Sequence, residues 1–262
     1  MGFLRLDGNV EGVADVGVIL PTFCEAQNIE KLINEIESLN MNVSILVVDD
    51  SSSDGTADVV RRLQRTYDNV LLLVRPGKMG LGTAIIDGFK VFMSMKNAPK
   101  YVVTMDADYS HDPKDIPRLL SAIKGGYSLV IGSRYCKGGG IINWSFLRLM
   151  ISKIANQLAA VVVGEQINDY TSGMRCYSMS LIRSIINDLH SQTYEIQIET
   201  IRQALMRGFS VGEIPITFVN RKKGKSKLTA NEIKYFLSYM LKLTLKRICG
   251  FLASRETAVS RL

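Results

Sequence analysis

Short apolar runs alternate along the chain with stretches whose apolar residues recur every three or four positions. Val16–Leu20, Val43–Val48, Val70–Val74, Tyr101–Met105 and Leu129–Gly132 are such runs, each closed by polar or turn residues. Runs of this length predict strands buried on both faces. Between them, Asn28–Leu39 places Ile29, Leu32, Ile33, Ile36 and Leu39 at helical spacing. Ala57–Tyr67 and Thr83–Met95 follow the same period, and Pro113–Lys124 opens on a proline suited to a first helical turn. Asp54 fits the N-cap of the second helix. Strands alternating with helices in this way predict an α/β fold: a Rossmann-like, mainly parallel sheet with helices on both faces. No linker or repeat interrupts the pattern. We expect residues 1–15 to be an N-terminal extension, 16–230 one domain, and 231–262 a basic amphipathic helix and tail.

Two longer apolar stretches stand apart. Phe146–Val163 is broken by Arg148 and Lys153. Ile233–Leu252 puts Lys234, Lys242 and Lys246 on one helical face with Ser238, and Phe236, Leu237, Met240, Leu241 and Leu245 on a broad opposite side. Neither is an uncharged run of about 18 residues, so no transmembrane helix is predicted. An apolar side flanked by lysines fits a helix lying in a membrane interface; the alternatives are a core helix ending the domain or a docking face for a membrane partner. Phe146–Val163 is either a second such element or a buried core helix. The first fifteen residues lack the apolar segment of a signal peptide.

Composition narrows the class. The chain has 262 residues, 47% hydrophobic and 22% charged, which excludes a disordered or collagen-like polymer. Its net charge of +7 is uneven: from Asn220 onward eleven Lys/Arg face only Glu232 and Glu256. Such a tail suits a polyanion, whether nucleic acid, an anionic membrane or a phosphorylated ligand. No nucleic-acid-binding module accompanies it. The four cysteines form no CxxC pair, which argues against a zinc site or a disulfide framework.

In open α/β sheets, ligands bind at the carboxyl ends of strands. Those exits here are Pro21-Thr22-Phe23-Cys24-Glu25, Asp49-Asp50-Ser51, Arg75-Pro76-Gly77, Asp106-Ala107-Asp108 and Gly132-Ser133-Arg134-Tyr135. Asp106 and Asp108, one residue apart after a buried strand, can share a hard cation such as Mg²⁺ or Mn²⁺, which prefers oxygen ligands and bridges carboxylates to phosphates. Ser110 and His111 stand where they could complete its shell. Gly77-Lys78-Met79-Gly80-Leu81-Gly82 has neither the dinucleotide nor the Walker A spacing, so it reads as a permissive turn at a helix start.

Several motifs in order then carry a resemblance. They include Pro21-Thr22-Phe23-Cys24-Glu25, Val47-Val48-Asp49-Asp50-Ser51, Gly80-Leu81-Gly82-Thr83-Ala84, Asp106-Ala107-Asp108-Tyr109-Ser110-His111 and Gly132-Ser133-Arg134-Tyr135. Asn143-Trp144, Arg148 with Ser152, Thr171-Ser172-Gly173 and Arg221 through Leu228 follow. From about residue 16 to 230 the chain resembles the family-2 glycosyltransferases of the GT-A fold, and within them the dolichol-phosphate mannose synthases of the short form without transmembrane helices. The resemblance implies metal-dependent, inverting transfer of mannose from GDP-mannose to dolichyl (polyprenyl) phosphate. It implies that Pro21, Phe23, Glu25, Val48 and Asp50 hold base and ribose. Asp106, Ala107 and Asp108 would meet the diphosphate, with Mg²⁺ or Mn²⁺ on Asp106, Asp108 and Ser110. Arg134 would lie between donor and acceptor, making Asp108 and Arg134 the catalytic pair. Arg148 and Ser152, one helical turn apart, would join Arg134 on the acceptor phosphate, and Arg221 and Lys227 would close over the donor. A peripheral position on the cytoplasmic face of a membrane follows, with a small membrane-anchoring subunit as a possible partner and no nucleic acid. The family usually has Tyr at position 23 and Asn at position 24. UDP-glucose or another sugar nucleotide therefore stays open as donor, and nucleic-acid binding by the tail stays the alternative of a different class.

Overall fold

A computed structural model describes residues 5–9, 11–220 and 234–245. These residues form ten strands and eight α-helices: β1 (Arg5–Asp7), β2 (Val16–Thr22), α1 (Ala26–Glu37), β3 (Val43–Asp49), α2 (Thr56–Leu63), β4 (Val70–Val74), α3 (Leu81–Ser94), β5 (Tyr101–Thr104), α4 (Ile116–Lys124), β6 (Leu129–Ser133), β7 (Gly140–Ile142), α5 (Phe146–Val163), β8 (Arg175–Ser178), α6 (Met179–Ile185), α7 (Ile196–Met206), β9 (Val211–Pro215), β10 (Thr217–Val219) and α8 (234–245).

Eight strands form one sheet in the order β1-β4-β3-β2-β5-β8-β6-β9. Successive side chains point to opposite faces of a strand. On β3, Leu46 and Val48 therefore enter one core and Ile45 and Val47 the other. The first core is roofed by α3, α6 and α7, the second by α1, α2 and α4. The expected strands and flanking helices are present, and the sheet is mainly parallel. β1 and β8 are its antiparallel members.

β8 is the consequential one. It inserts between β5 and β6, so the exits of β2, β3 and β5 sit side by side while that of β6 stands two strand spacings from β5, about 10 Å. Its short run Arg175-Cys176-Tyr177-Ser178 carries no strong strand pattern. Pairing on both edges makes it a strand.

Three expectations change. The first fifteen residues are not a mere extension, because Arg5–Asp7 pairs with β4 as the sheet edge. Asp54 is not the α2 N-cap; Gly55 is, at φ 88°, a left-handed conformation that costs glycine little. The Asp54 carboxylate instead accepts from Thr56 N–H and from Ala26 N–H, tying together the starts of α2 and α1. Thirdly, α8 is more than an interfacial helix. Met240 and Leu243 are buried in the first core, while Leu237, Leu241 and Leu245 form an exposed apolar strip.

Helix α5 spans the residues marked out in the sequence but is not a core helix. It buries only Asn156 and Ala159. Among the described residues it is the helix long and apolar enough to cross a membrane by length and composition, with mean hydropathy 1.5. It is nonetheless pinned to the domain. Asn156 donates to Thr171 Oγ1 and accepts from Tyr170 N–H.

The start of α3 fits tightly against the loop before α7. Gly82 N–H donates to Gln192 O at 3.0 Å, and a Cβ on Gly82 would lie 2.4 Å from Ser191 O. That loop cannot retreat, because Glu199 accepts from His190 and Ser191 N–H, and Glu195 from Gln192 and Thr193 N–H. We expect Gly82→Ala to destabilise the fold by about 1–3 kcal/mol. Chemical denaturation measures this, and an unchanged midpoint would show that the contact is not tight.

Candidate active site

The adjacent exits of β2, β3 and β5 bring Pro21, Phe23, Glu25, Asp50, Asp106, Ala107 and Asp108 to one cleft of about 90 Å³. Val48 does not reach it. Its side chain is in the core, and it serves the site by placing Asp49 and Asp50. Lys78 and Tyr194 complete the walls. Sequence reasoning missed both. Lys78 lay in the glycine turn, where the cation was legible but its direction was not. Tyr194 follows a loop with no pattern of its own.

The exit loops hold uncommon backbone. Cys24, Ser51, Tyr109 and Asn143 have φ between 52° and 63°, a region costly for side chains other than Gly or Asn. Cys24 is kept there partly by its N–H, which donates to Ser52 Oγ at 2.8 Å. The buried carboxylates do structural work in these loops. Asp49 accepts from Thr22 Oγ1 and from Ser52 N–H. Asp50 accepts from Arg75 Nε at 2.6 Å and from the N–H groups of Met79 and Gly80. Arg75, fully buried, also donates to Thr83 Oγ1 and Gly80 O. Burial pushes the Asp50 carboxyl above its ordinary range despite the adjacent guanidinium. Asp50 thus anchors the Lys78 turn from below. Lys78 Nζ stands 5.0 Å from the centroid of the Phe23 ring, within cation–π range.

Asp106 and Asp108 lie at the centre. The Asp106 side chain is 34% exposed. Asp108 accepts from Ser110 N–H at 3.0 Å, which closes the turn. Asp108 also lines a second, larger cleft of about 770 Å³, shared with Tyr109, Ser110 and His111. Ser110 lines that larger cleft and not the first. His111 is buried, and its Nδ1 accepts from Asp106 N–H at 3.2 Å, so that nitrogen is engaged in shaping the loop. Burial lowers the His111 pKa and keeps the ring neutral. Among the described residues no three His, Cys, Asp or Glu side chains gather as a complete metal cage.

Across β8, Arg134 is nearly buried and forms a two-pronged pair with Asp169, Nε to Oδ2 and Nη2 to Oδ1, each 2.7 Å, with Thr171 Oγ1 also at 2.7 Å. Burial alone would raise the Asp169 carboxyl, but Arg134's charge and hydrogen bonds outweigh it and hold the group below the usual carboxylate range. Asp169 is fixed in turn by Glu213, which accepts from Asp169 N–H. The sequence reading left Asp169 out, because nothing local to it marks it as the partner of Arg134, thirty-five residues earlier. Arg148 donates to Asn220 Oδ1 at 2.8 Å, and Ser152 accepts from Tyr135 Oη at 2.8 Å. The Tyr135 and Trp144 rings are each 5.4 Å from the Arg134 guanidinium. The structure therefore gathers Arg134, Arg148 and Ser152 about one aromatic cluster. Arg221 and Lys227 lie outside the described residues.

A mostly parallel sheet with two carboxylates at its central exit and arginines beside it is an arrangement for binding phosphates, and comparison with known proteins gives it a family. Residues 17–186 match glycosyl transferase family 2. The chain belongs to that family. It is 38% identical over 219 residues to the polyprenol monophosphomannose synthase of Mycolicibacterium smegmatis, covering 83% of this chain and 82% of that one. It is 35% identical over 212 residues to the undecaprenyl-phosphate mannosyltransferase of Micrococcus luteus, covering 80% and 86%. Among solved structures, glucosyl-3-phosphoglycerate synthase from Mycobacterium tuberculosis, in complex with Mn²⁺, UDP and phosphoglyceric acid, superposes with TM-score 0.65 at 18% identity, over 89% of this chain and 78% of that one. The protein is a family-2 glycosyltransferase with the GT-A fold, which decides for an enzyme over a nucleic-acid-binding protein.

The Asp169–Arg134 pair yields a prediction. Asp169→Asn leaves a buried guanidinium without its counter-charge and is expected to cost about 3–5 kcal/mol. Because the folded carboxyl lies below its unfolded value of about 3.9, the pair's contribution is complete above that pH and is lost as pH falls through the folded value. Denaturation of wild type and variant from pH 7 downward checks this. Curves that stay parallel throughout the acid range would contradict it.

Proposed function

We propose that the protein transfers mannose from GDP-mannose to dolichyl phosphate or a related polyprenyl phosphate at a membrane surface. Two relatives named for mannosyl transfer to polyprenyl phosphates, each matched over at least 80% of both chains, support the acceptor class and the sugar. The observation that carries the reading is the gathering of Arg134, Arg148 and Ser152 beside an exposed apolar helix. Leu147, Met150, Ile151, Ile154, Leu158 and Val161 follow the three-and-four spacing of a single stripe along α5, each at least 40% exposed. A lipid lying along that stripe would deliver its phosphate to the arginines at the helix start.

Residues at the first cleft fit a divalent cation. Asp106 and Asp108 offer hard oxygen donors on one turn, and the partial shell suits an ion completed by a diphosphate and water. Bound Mg²⁺ or Mn²⁺ would supply positive charge against the donor diphosphate. The chain's own residues do the rest. Phe23 and Lys78 offer a stacking face and a cation for the nucleoside end. A guanidinium fork at Arg148 and the hydroxyl of Ser152 suit a phosphate monoester. Such a monoester has its second pKa near 6 and is mostly dianionic at neutral pH, so its oxygen attacks the anomeric carbon without a general base. The carbon–oxygen bond to the diphosphate breaks as the new one forms on the opposite face, and GDP departs. Arg134, kept cationic by Asp169, offsets the repulsion between the two phosphates.

The test supplies purified protein with Mn²⁺, dolichyl phosphate and radiolabelled GDP-mannose, then UDP-glucose, and counts label in the organic phase. We expect transfer from GDP-mannose. Asp108→Ala should lower turnover by on the order of 10²–10³-fold, beyond rescue by added metal. Full turnover by that variant would remove the carboxylates from the mechanism. For the membrane face, Leu147→Glu with Ile154→Glu should abolish co-sedimentation with anionic vesicles while GDP affinity stays unchanged. Retained co-sedimentation would place the membrane contact on another part of this chain.

A further inference from the structure

The Asn143-Trp144 dipeptide belongs to the motifs shared with the family, yet it has no part in the reaction as proposed. Trp144 is the chain's only tryptophan. The Arg148 guanidinium lies 4.1 Å from its ring centroid and that of Arg134 5.4 Å. Phe218 meets the indole edge-on, with centroids 5.3 Å apart, and meets His111 in the same manner at 5.2 Å. Asn143, at φ 63°, accepts at its carbonyl from Asn220 Nδ2, and Asn220 Oδ1 accepts from Arg148 Nη1. The turn between β7 and α5 is thus closed on the Arg148 side chain. Trp144 Nε1 is buried without a hydrogen-bond partner among the described residues, so ring contacts carry the indole's placement.

Two guanidiniums converging on one site repel. An aromatic face attracts cations through its quadrupole, most strongly in tryptophan. We propose that Trp144 is a positioning residue that fixes Arg134 and Arg148 relative to each other so that both meet one phosphate monoester. This role rests on a phosphate monoester being the acceptor. Trp144 does not touch the reacting atoms; it acts through the arginines. When a phosphate draws them, the indole's surroundings change.

The chain carries its own probe, since all tryptophan emission comes from Trp144. Farnesyl phosphate should change that emission saturably, and farnesol, which lacks the phosphate, should not. Trp144→Leu should raise the acceptor KM about tenfold while the GDP-mannose KM stays within about twofold, and Trp144→Phe should recover most of that loss. An acceptor KM unmoved by Trp144→Leu overturns the proposal, as does a joint shift of both KM values and the unfolding midpoint, the mark of a purely structural role. If Trp144→Leu fails to fold, Trp144→Phe and the wild-type titration decide, and emission unmoved by saturating farnesyl phosphate overturns it. Arg148→Ala separates the two layers. An unchanged acceptor KM there defeats the acceptor reading itself, whereas a raised one beside an unaffected Trp144→Leu defeats only the role of Trp144.

Discussion

A guanidinium taken out of water is costly unless a counter-charge or a full set of hydrogen bonds meets it; Arg134, only 7% exposed, is met by a carboxylate. Much of the site around Arg134 is organised by that requirement. Asp169 supplies the charge, Glu213 on β9 fixes the Asp169 backbone, and Asn156 on α5 grips the next two residues. The ion pair thereby couples the exit of β6, the loop before β8, strand β9 and helix α5 with its exposed apolar stripe. A buried pair of this kind adds little net stability over an apolar substitute. What it contributes here is a cation held in a fixed position and largely out of water.

The small cleft at the exits of β2, β3 and β5 solves the opposite problem. Four carboxylates, Glu25, Asp50, Asp106 and Asp108, line one small cleft. Left together in a low-dielectric site they would repel one another and any diphosphate. Asp50 is occupied by Arg75 and two backbone N–H groups, and Glu25 accepts from Asn28. Both carboxylates thus hold loops in place, and Asp106 and Asp108 stand at the centre as the hard oxygen pair. The strained residues Cys24, Ser51 and Tyr109 belong to these same exits, where the surrounding hydrogen bonds over-determine the backbone.

The two halves meet through side chains more than through backbone. β8 keeps Arg134 about two strand spacings from Asp106, and His111, Phe218 and Trp144 fill the interval with edge-to-face contacts. His111 sets the Asp106 turn at one end of this line, and Trp144 lies against Arg148 at the other. A packed row of rings is stiff, so it holds the Asp106 turn and the arginines at a fixed separation.

The sequence by itself determined the alternating strands and helices, the carboxylate pair after β5, the α5 boundaries and the motifs of the family. Those features are local, written in periodicity, in residue type and in spacing along the chain. The tertiary structure decided the rest because it depends on residues distant in sequence. β8 is a strand only because β5 and β6 flank it. Val48 is core and not cleft because of strand register. Asp169 matters because Arg134, thirty-five residues earlier, is buried against it. Whether α5 and α8 face core or solvent was likewise undecidable from apolar content alone. Met240 and Leu243 turn inward while Leu147 and Ile151 turn outward, and only the shape of the core they pack against distinguishes them.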